Sequence, residues 1–393
     1  MSRSFEPNRL AILLEERYPA YLDDLRTLVN IDCGTFIKAG VNQVADFMQA
    51  RFTAGGWQAE RLRPTPRDPS LDLADIVVGR LTGPGTRRIL MIGHMDTVFP
   101  EGTAAARPFR IEDSTAFGPG VSDMKGGLLA GLYAATCLQE AGQGDWASIT
   151  YVCNPDEEIG SPGSKPIIAS LARDADVCFV LEGARENGDI VSARKGVADF
   201  RITATGRAAH AGVEPERGRS AIIQIAHTVL ALHALNGRWP GVTVNAGVIS
   251  GGTRPNVVPE RCELRVDVRS TTAAETTEVL AEVERIARTV EVPDVTIDVH
   301  AEEGFPPMEK TPATARLVEQ AKAIAAELGF EVRDAATGGA SDANPVAGMG
   351  VPTLDGLGPV GGADHAPGEW IDLESVVPRT ALLASLIAGL GSD

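Results

Sequence analysis

Four short apolar runs, each of strand length and none alternating with polar residues, constrain this chain most. They lie within Asp75–Gly79, Arg88–Gly93, Ser148–Cys153 and Asp176–Leu181. A strand with one wet face alternates apolar and polar residues, whereas an unbroken apolar run is covered on both faces. Helix-like stretches accompany them: Leu10–Leu28 and Val41–Ala54, the latter stopped by Gly55-Gly56, and Gly126–Ala141 between the second and third runs. Strands of this kind alternating with helices predict an α/β domain whose sheet is mixed and mostly parallel, with helices on both faces.

The pattern changes near Asn187. Val197–Thr205 alternates as a half-exposed strand, and an amphipathic helix follows over Ser220–Leu235. Strands at Val242–Ser250 and Glu260–Arg269, a helix over Ala273–Val290 and a strand at Val295–His300 complete the series. The order strand-helix-strand-strand-helix-strand is a split βαβ unit of ferredoxin type. After Pro306-Pro307 the helical stretch Thr314–Leu328 restores the first pattern. At 393 residues the chain exceeds a single core. The expected division is a catalytic domain over 1–186 and 303–393 interrupted by an α+β domain over 187–302.

Charge and cysteines narrow the partners. A formal net charge of −17 disfavours nucleic acid and anionic membrane, and no stretch approaches a membrane span. Met1–Pro7 has no apolar signal core, and the five cysteines are scattered without a Cys-x-x-Cys pair. Together these predict a reducing, cytoplasmic setting with the thiols as small buried hydrophobes.

Chemistry-bearing residues gather in five segments: Gly93-His94-Met95-Asp96, Gly120–Gly127, Asp156–Ser161, Leu181-Glu182-Gly183 and Ala363-Asp364-His365. Three of them directly follow apolar runs. Open α/β sheets bind ligands at the carboxyl ends of their strands, so separate segments can meet in one crevice. One histidine beside an acid is usually structural; two histidines and several carboxylates placed this way suit a pair of zinc-like ions. Gly356-Leu357-Gly358-Pro359-Val360-Gly361 spells a dinucleotide fingerprint, but Pro359 and the residues after it describe a loop where a helix should open.

The chain resembles the M20 zinc metallopeptidases, among them the glutamate carboxypeptidase, acetylornithine deacetylase and succinyl-diaminopimelate desuccinylase types. The resemblance rests on His94-x-Asp96, Gly118-x-Gly120-x-x-Asp123-Met124-Lys125-Gly126-Gly127, Asp156-Glu157-Glu158-x-Gly160-Ser161, Gly338–Ala343 and His365, in the family's order. It implies an aminopeptidase/carboxypeptidase-like catalytic domain with an inserted lid and dimerisation domain. It implies two divalent ions, zinc with cobalt or manganese as substitutes. Asp123 would bridge them, His94 and Glu182 would complete one set, and Glu158 and His365 the other. A shared carboxylate suits two dications so close together. Asp96 would accept the other N–H of His94, and Glu157, not spent on metal, would be the general base. A cis Asp123–Met124 peptide is implied as well.

In the inserted domain, Gly206–Gly212 resembles the family's lid segment, so His210 would cross a dimer interface to hold the oxyanion. Asn256 and Arg269 match substrate contacts, and a guanidinium suits a substrate carboxylate. Arg194-Lys195 and Arg254 are weaker matches, and His227, His233 and His300 read as structural. The implied reaction is hydrolysis of an amide between an acyl or peptidyl group and an amino acid with a free carboxylate, through a water between the ions. Its substrate is a small peptide or N-acyl amino acid. An N-acyl amino acid deacylase and a metal-dependent small-molecule-binding protein stay open as alternatives.

Overall fold

The computed structural model describes residues 6–142, 144, 146–302 and 304–390; Met1–Phe5, the start of the segment read for a signal core, lies outside them. Contacts divide the chain into two units. The first runs to Ala193 and resumes over Lys310–Ala336 and from Ser341 onward; the second comprises Arg194–Glu309 and Thr337–Ala340. This division differs from 187–302 at both ends. The loop 337–340 joins the second unit through hydrogen bonds to main-chain carbonyls: Lys195 N–H donates to Thr337 O at 3.0 Å, and Arg194 Nη1 to Gly339 O at 3.1 Å.

The first unit opens with helices α1 (Pro7–Val29) and α2 (Lys38–Ala54). Strands β1 (Gln58–Leu62), β2 (Ile76–Thr82) and β3 (Arg87–His94), helix α3 (Gly126–Ala141), and strands β4 (Trp146–Asn154) and β5 (Val177–Val180) follow. With Thr353–Leu354 they form a six-stranded sheet in the order β1-β2-β4-β3-β5-Thr353–Leu354. The pairings of β4 with β3, β3 with β5, and β5 with Thr353–Leu354 are parallel, while β1 with β2 and β2 with β4 are antiparallel. All four residues of β5 are buried, as are Ile89–His94 of β3, which is why these runs carry no polar alternation. Register decides where the strands stop. His94 lies opposite Asn154 and Ile92 opposite Val180, so three neighbouring parallel strands end nearly level.

The second unit holds β6 (Gly196–Thr205), α4 (Ala221–His233), β7 (Thr243–Gly251), β8 (Arg261–Ser270), α5 (Ala273–Ala287) and β9 (Thr296–Ala301). Its antiparallel sheet runs β7-β8-β6-β9, the ferredoxin-like order expected from the βαββαβ sequence. Ile225 and Leu232 of α4 and Val279 and Val283 of α5 pack with Ile202, Leu264 and Val266 of the sheet in one core. Helix α5 starts on a capping box, in which Thr272 and Glu275 satisfy each other's main-chain N–H.

Back in the first unit, α6 (Pro312–Glu327) and α7 (Val376–Gly389) close the core, with α7 packed on α1, α3 and α6. A small antiparallel sheet joins Gly361–Gly362, Trp370–Asp372, Thr115–Phe117 and Arg110–Glu112 in that order. Trp370 pairs with Phe117, which sets the loop 363–369 beside the loop 118–123. Strands this short carry no periodicity, and the sequence pattern did not reveal them.

Candidate metal centre

The level strand ends deliver the first side chains. His94 is the last residue of β3, Glu157 and Glu158 form a 3₁₀ turn just past β4, and Glu182 lies two residues beyond β5. Asp123 sits in the irregular turn Val121–Lys125 that leads into α3, and the Asp123–Met124 peptide is cis. His365 hangs from the loop between the short strands Gly361–Gly362 and Trp370–Asp372.

These residues meet. His94 Nε2 lies 2.9 Å from Asp123 Oδ1 and 3.8 Å from Glu182 Oε1. His365 Nε2 lies 3.0 Å from Asp123 Oδ2 and 3.2 Å from Glu158 Oε2. Asp123 therefore offers one oxygen to each histidine, and each histidine has a second carboxylate beside it. Ligand atoms of His94, Glu157 and Glu182 also lie within 4.8 Å of one another. Glycine makes room behind Glu182. A Cβ on Gly127 would stand 1.7 Å from Leu181 O, and one on Gly358 would stand 2.9 Å from Glu182 O. That close approach explains Gly358 of the apparent dinucleotide motif.

The electrostatics are those of a centre that expects cations. Burial alone would lower the His94 imidazole, but Glu182, Asp123 and Asp96 outweigh it and hold it well above its ordinary value. Hydrogen bonds to Asp123 and Glu158 push His365 up to about 11. Burial raises Glu157 well above the usual carboxylate range, with Glu182 adding to the effect, and raises Glu182 to about 8. Glu158 Oε1 is buried and has no hydrogen-bond partner among the described residues. Such an oxygen is costly unless something bonds it. A set of imidazole nitrogens and carboxylate oxygens around an unsatisfied buried oxygen fits a borderline divalent cation.

Asp96 does more than expected. The Nδ1 of His94 is 2.9 Å from the main-chain oxygen of Asp96 and 3.5 Å from its carboxylate Oδ1, so the carbonyl is the nearer orienting partner. The carboxylate is engaged elsewhere. It accepts the Thr35 hydroxyl at 2.6 Å and the main-chain N–H groups of Glu157 at 3.2 Å and Glu158 at 3.3 Å. Asp96 thus ties the His94 strand end to the turn that carries two other site residues. Glu369 was not singled out from the sequence. It is 1% exposed, and its carboxylate accepts the N–H groups of Gly120, Ser122 and Asp123 at 2.8, 2.8 and 2.9 Å. Burial pushes it up to about 7 even though these three donors pull the other way. Its only sequence signal is an acid next to an apolar strand start, Glu369-Trp370-Ile371.

His210, Asn256 and Arg269 belong to the second unit. His210 is exposed and bridges to Val257, and the main-chain oxygen of Asn256 accepts the Ala211 N–H at 3.0 Å. Gly212 N–H donates to His210 Nδ1 at 3.2 Å, which leaves the proton of the neutral ring on Nε2. Arg269 is engaged: Nη2 lies 2.7 Å from Asp267 Oδ2, and Nη1 donates to Gly338 O at 3.4 Å. His227, His233 and His300 are exposed on the same unit.

Fold and centre together define a metal-ligating α/β hydrolase. The chain belongs to peptidase family M20/M25/M40, whose model matches residues 90–389. It is 31% identical over 383 residues to carboxypeptidase G2 of Pseudomonas sp. (strain RS-16), covering 96% of this chain and 91% of that one. It is 30% identical over 270 residues to the acetylornithine deacetylase of Myxococcus xanthus, covering 65% of this chain and 68% of the relative. The fold matches an M20 family metallo-carboxypeptidase from Sulfolobus solfataricus with a TM-score of 0.72 and 16% identity, over 94% of this chain and 98% of the other. The protein is an enzyme of this metal-dependent peptidase and amidohydrolase family. No helix among the described residues is long and apolar enough to cross a membrane.

Proposed function

We propose that the enzyme hydrolyses the amide bond between an acyl or peptidyl group and an amino acid that keeps a free carboxylate, in the manner of a glutamate carboxypeptidase. The observation that carries this reading is Asp123, with one oxygen toward His94 and the other toward His365. It supports a two-ion centre, with Asp123 shared, His94 and Glu182 on one side, and Glu158 and His365 on the other. Zinc suits this donor set, and cobalt or manganese would substitute. Bound there, the ions would act as Lewis acids on the scissile carbonyl and lower the pKa of water.

The remaining steps belong to the chain. Glu157 is held beside the centre by its N–H bond to Asp96, and its carboxylate is hydrogen-bonded to no described residue. It is assigned the proton of the attacking water, which it passes to the leaving amine. His210, with a donor on Nε2, is assigned the oxyanion from across a dimer. Arg269 and Asn256 are assigned the substrate's carboxylate end. Dimerisation through the second unit is supported by β7, an edge strand with Val248 and Ile249 each more than half exposed, and by Leu230 on α4, 70% exposed. The buried, unpaired cysteines agree with a cytoplasmic setting.

Glu157→Gln should lower kcat by about 10²–10⁴-fold while leaving metal content unchanged; near-normal turnover would remove Glu157 from its role. An N-acyl amino acid deacylase is the second reading, favoured by the likeness to acetylornithine deacetylase. A panel of dipeptides, acyl-glutamates and N-acetyl amino acids, assayed with zinc, cobalt or manganese and with the products identified, decides between the two.

A further inference from the structure

We propose that Glu369 is a positioning residue, holding the main chain of Gly120–Asp123 in the shape that turns both oxygens of Asp123 toward the two histidines. The inference rests on the reading of Asp123 as the shared ligand.

The segment around Asp123 has no regular structure to satisfy it. Gly120 is left-handed at φ 72°, and Asp123 and Met124 depart from helical angles. Their N–H groups therefore have no helical or strand ladder to join, and a buried N–H left unpaired is costly. Val121 N–H finds Gly118 O at 3.2 Å. Those of Gly120, Ser122 and Asp123 all converge on the one carboxylate of Glu369. Three charge-assisted bonds to one buried anion fix four consecutive residues more tightly than packing alone.

The carboxylate comes from a telling place. Glu369 closes the loop that carries His365, and the main chains of the two loops also meet, with Gly118 N–H donating to Glu369 O at 3.4 Å. One loop thus presents a histidine to Asp123 and also shapes the turn from which Asp123 projects. A buried glutamate is an expensive way to fill space, and an apolar side chain in its place would leave three N–H groups unpaired. Nor could an apolar side chain set the direction of the Asp123 carboxylate.

The test uses the full-length protein, stripped of metal and titrated with cobalt(II). Glu369→Gln keeps one acceptor oxygen but turns an NH₂ toward at least one of the three donors. The variant should fold, bind cobalt about 10–100-fold more weakly, as changes behind metal ligands typically do, and show an altered visible absorption spectrum. Glu369→Asp keeps the charge but is one methylene short, and it should not restore the spectrum. Gln224→Ala provides the comparison. Gln224 is a buried clip in the second unit, bonding Thr289 O and the N–H groups of Glu291 and Val292. Its loss should lower the melting temperature and leave the cobalt spectrum unchanged.

Wild-type cobalt affinity and spectrum in Glu369→Gln, or a loss of melting temperature alone as in Gln224→Ala, overturns the proposal. If Glu369→Gln does not fold, Glu369→Asp decides: an unchanged spectrum overturns the proposal, and an altered one supports it. Asp123→Asn separates the two layers of argument. If it binds cobalt as the wild type does, or if the wild type binds none, the shared-ligand reading fails and the Glu369 proposal fails with it. If Asp123→Asn loses cobalt and Glu369→Gln does not, only the proposal falls.

Discussion

His210 shows how much a single hydrogen bond can decide about a residue's chemistry. With Gly212 N–H on Nδ1, a neutral ring is a donor at Nε2, the tautomer an oxyanion requires. If His210 has that role, His210→Ala should reduce kcat about 10²–10³-fold, with KM and metal content nearly unchanged. An unaltered kcat, measured on metal-loaded protein, would return His210 to the status of an ordinary loop residue. At this scale His94, Glu157, Glu158 and Glu182 were legible because acids and histidines just past apolar runs are conspicuous, whereas Asp123 and His365 were singled out by the motifs that resemble the M20 family. Glu369 was not, because it works on main-chain N–H groups, which leave no signature in side-chain spacing. The Asp96 carboxylate departs from expectation in part for the same reason: two of its three partners are amides of Glu157 and Glu158.

Among elements, the site depends on β3 and β5 staying in register, since they set His94 and Glu182 side by side. Their far ends are fastened by Asp176, which accepts Arg88 N–H at 2.8 Å and pairs with Arg88 Nη2 at 2.9 Å. The Arg88 side chain is the main reason the Asp176 carboxyl lies below its ordinary value. A carboxyl lowered in the folded state contributes stability above its unfolded value of about 3.9, and the contribution is lost as pH falls through the folded value. Asp176→Asn should therefore melt below wild type at neutral pH, and the gap should close as the solution is taken below about pH 4. A gap that stays constant into strong acid would mean that the contribution is not ionic. The apolar runs of β2–β5, the strands of the second unit and the long helices could be read from the sequence pattern, but β1 could not. The two- and three-residue strands of the small sheet could not, nor could the transfer of Thr337–Ala340 to the second unit, which rests on main-chain contacts.

For the whole molecule, the proposal that His210 acts in trans has a consequence that needs no structure of a dimer. Glu157→Gln and His210→Ala would each be inactive as homodimers. If His210 serves its partner's centre, a mixed dimer carries one site with both lesions and one with neither. Unfolding the two variants together and refolding them at equal ratio should recover about a quarter of wild-type activity. Recovery of nothing, with mixed dimers demonstrated by mass, would place His210 in its own subunit's site.

The division of the first unit around the second also sets a timetable. His94, Asp123, Glu158 and Glu182 leave the ribosome early, all before residue 194, whereas His365 and Glu369 follow only after Arg194–Glu309 has been made. Helix α7, which packs on α1 and α3, comes later still. Between the synthesis of Glu182 and that of His365 the nascent chain thus carries an incomplete centre, with Asp123 lacking both its second histidine and the carboxylate that shapes its turn. Hydrolytic competence therefore waits for the last part of the chain, and a chain cut short within Arg194–Glu309 should be inert.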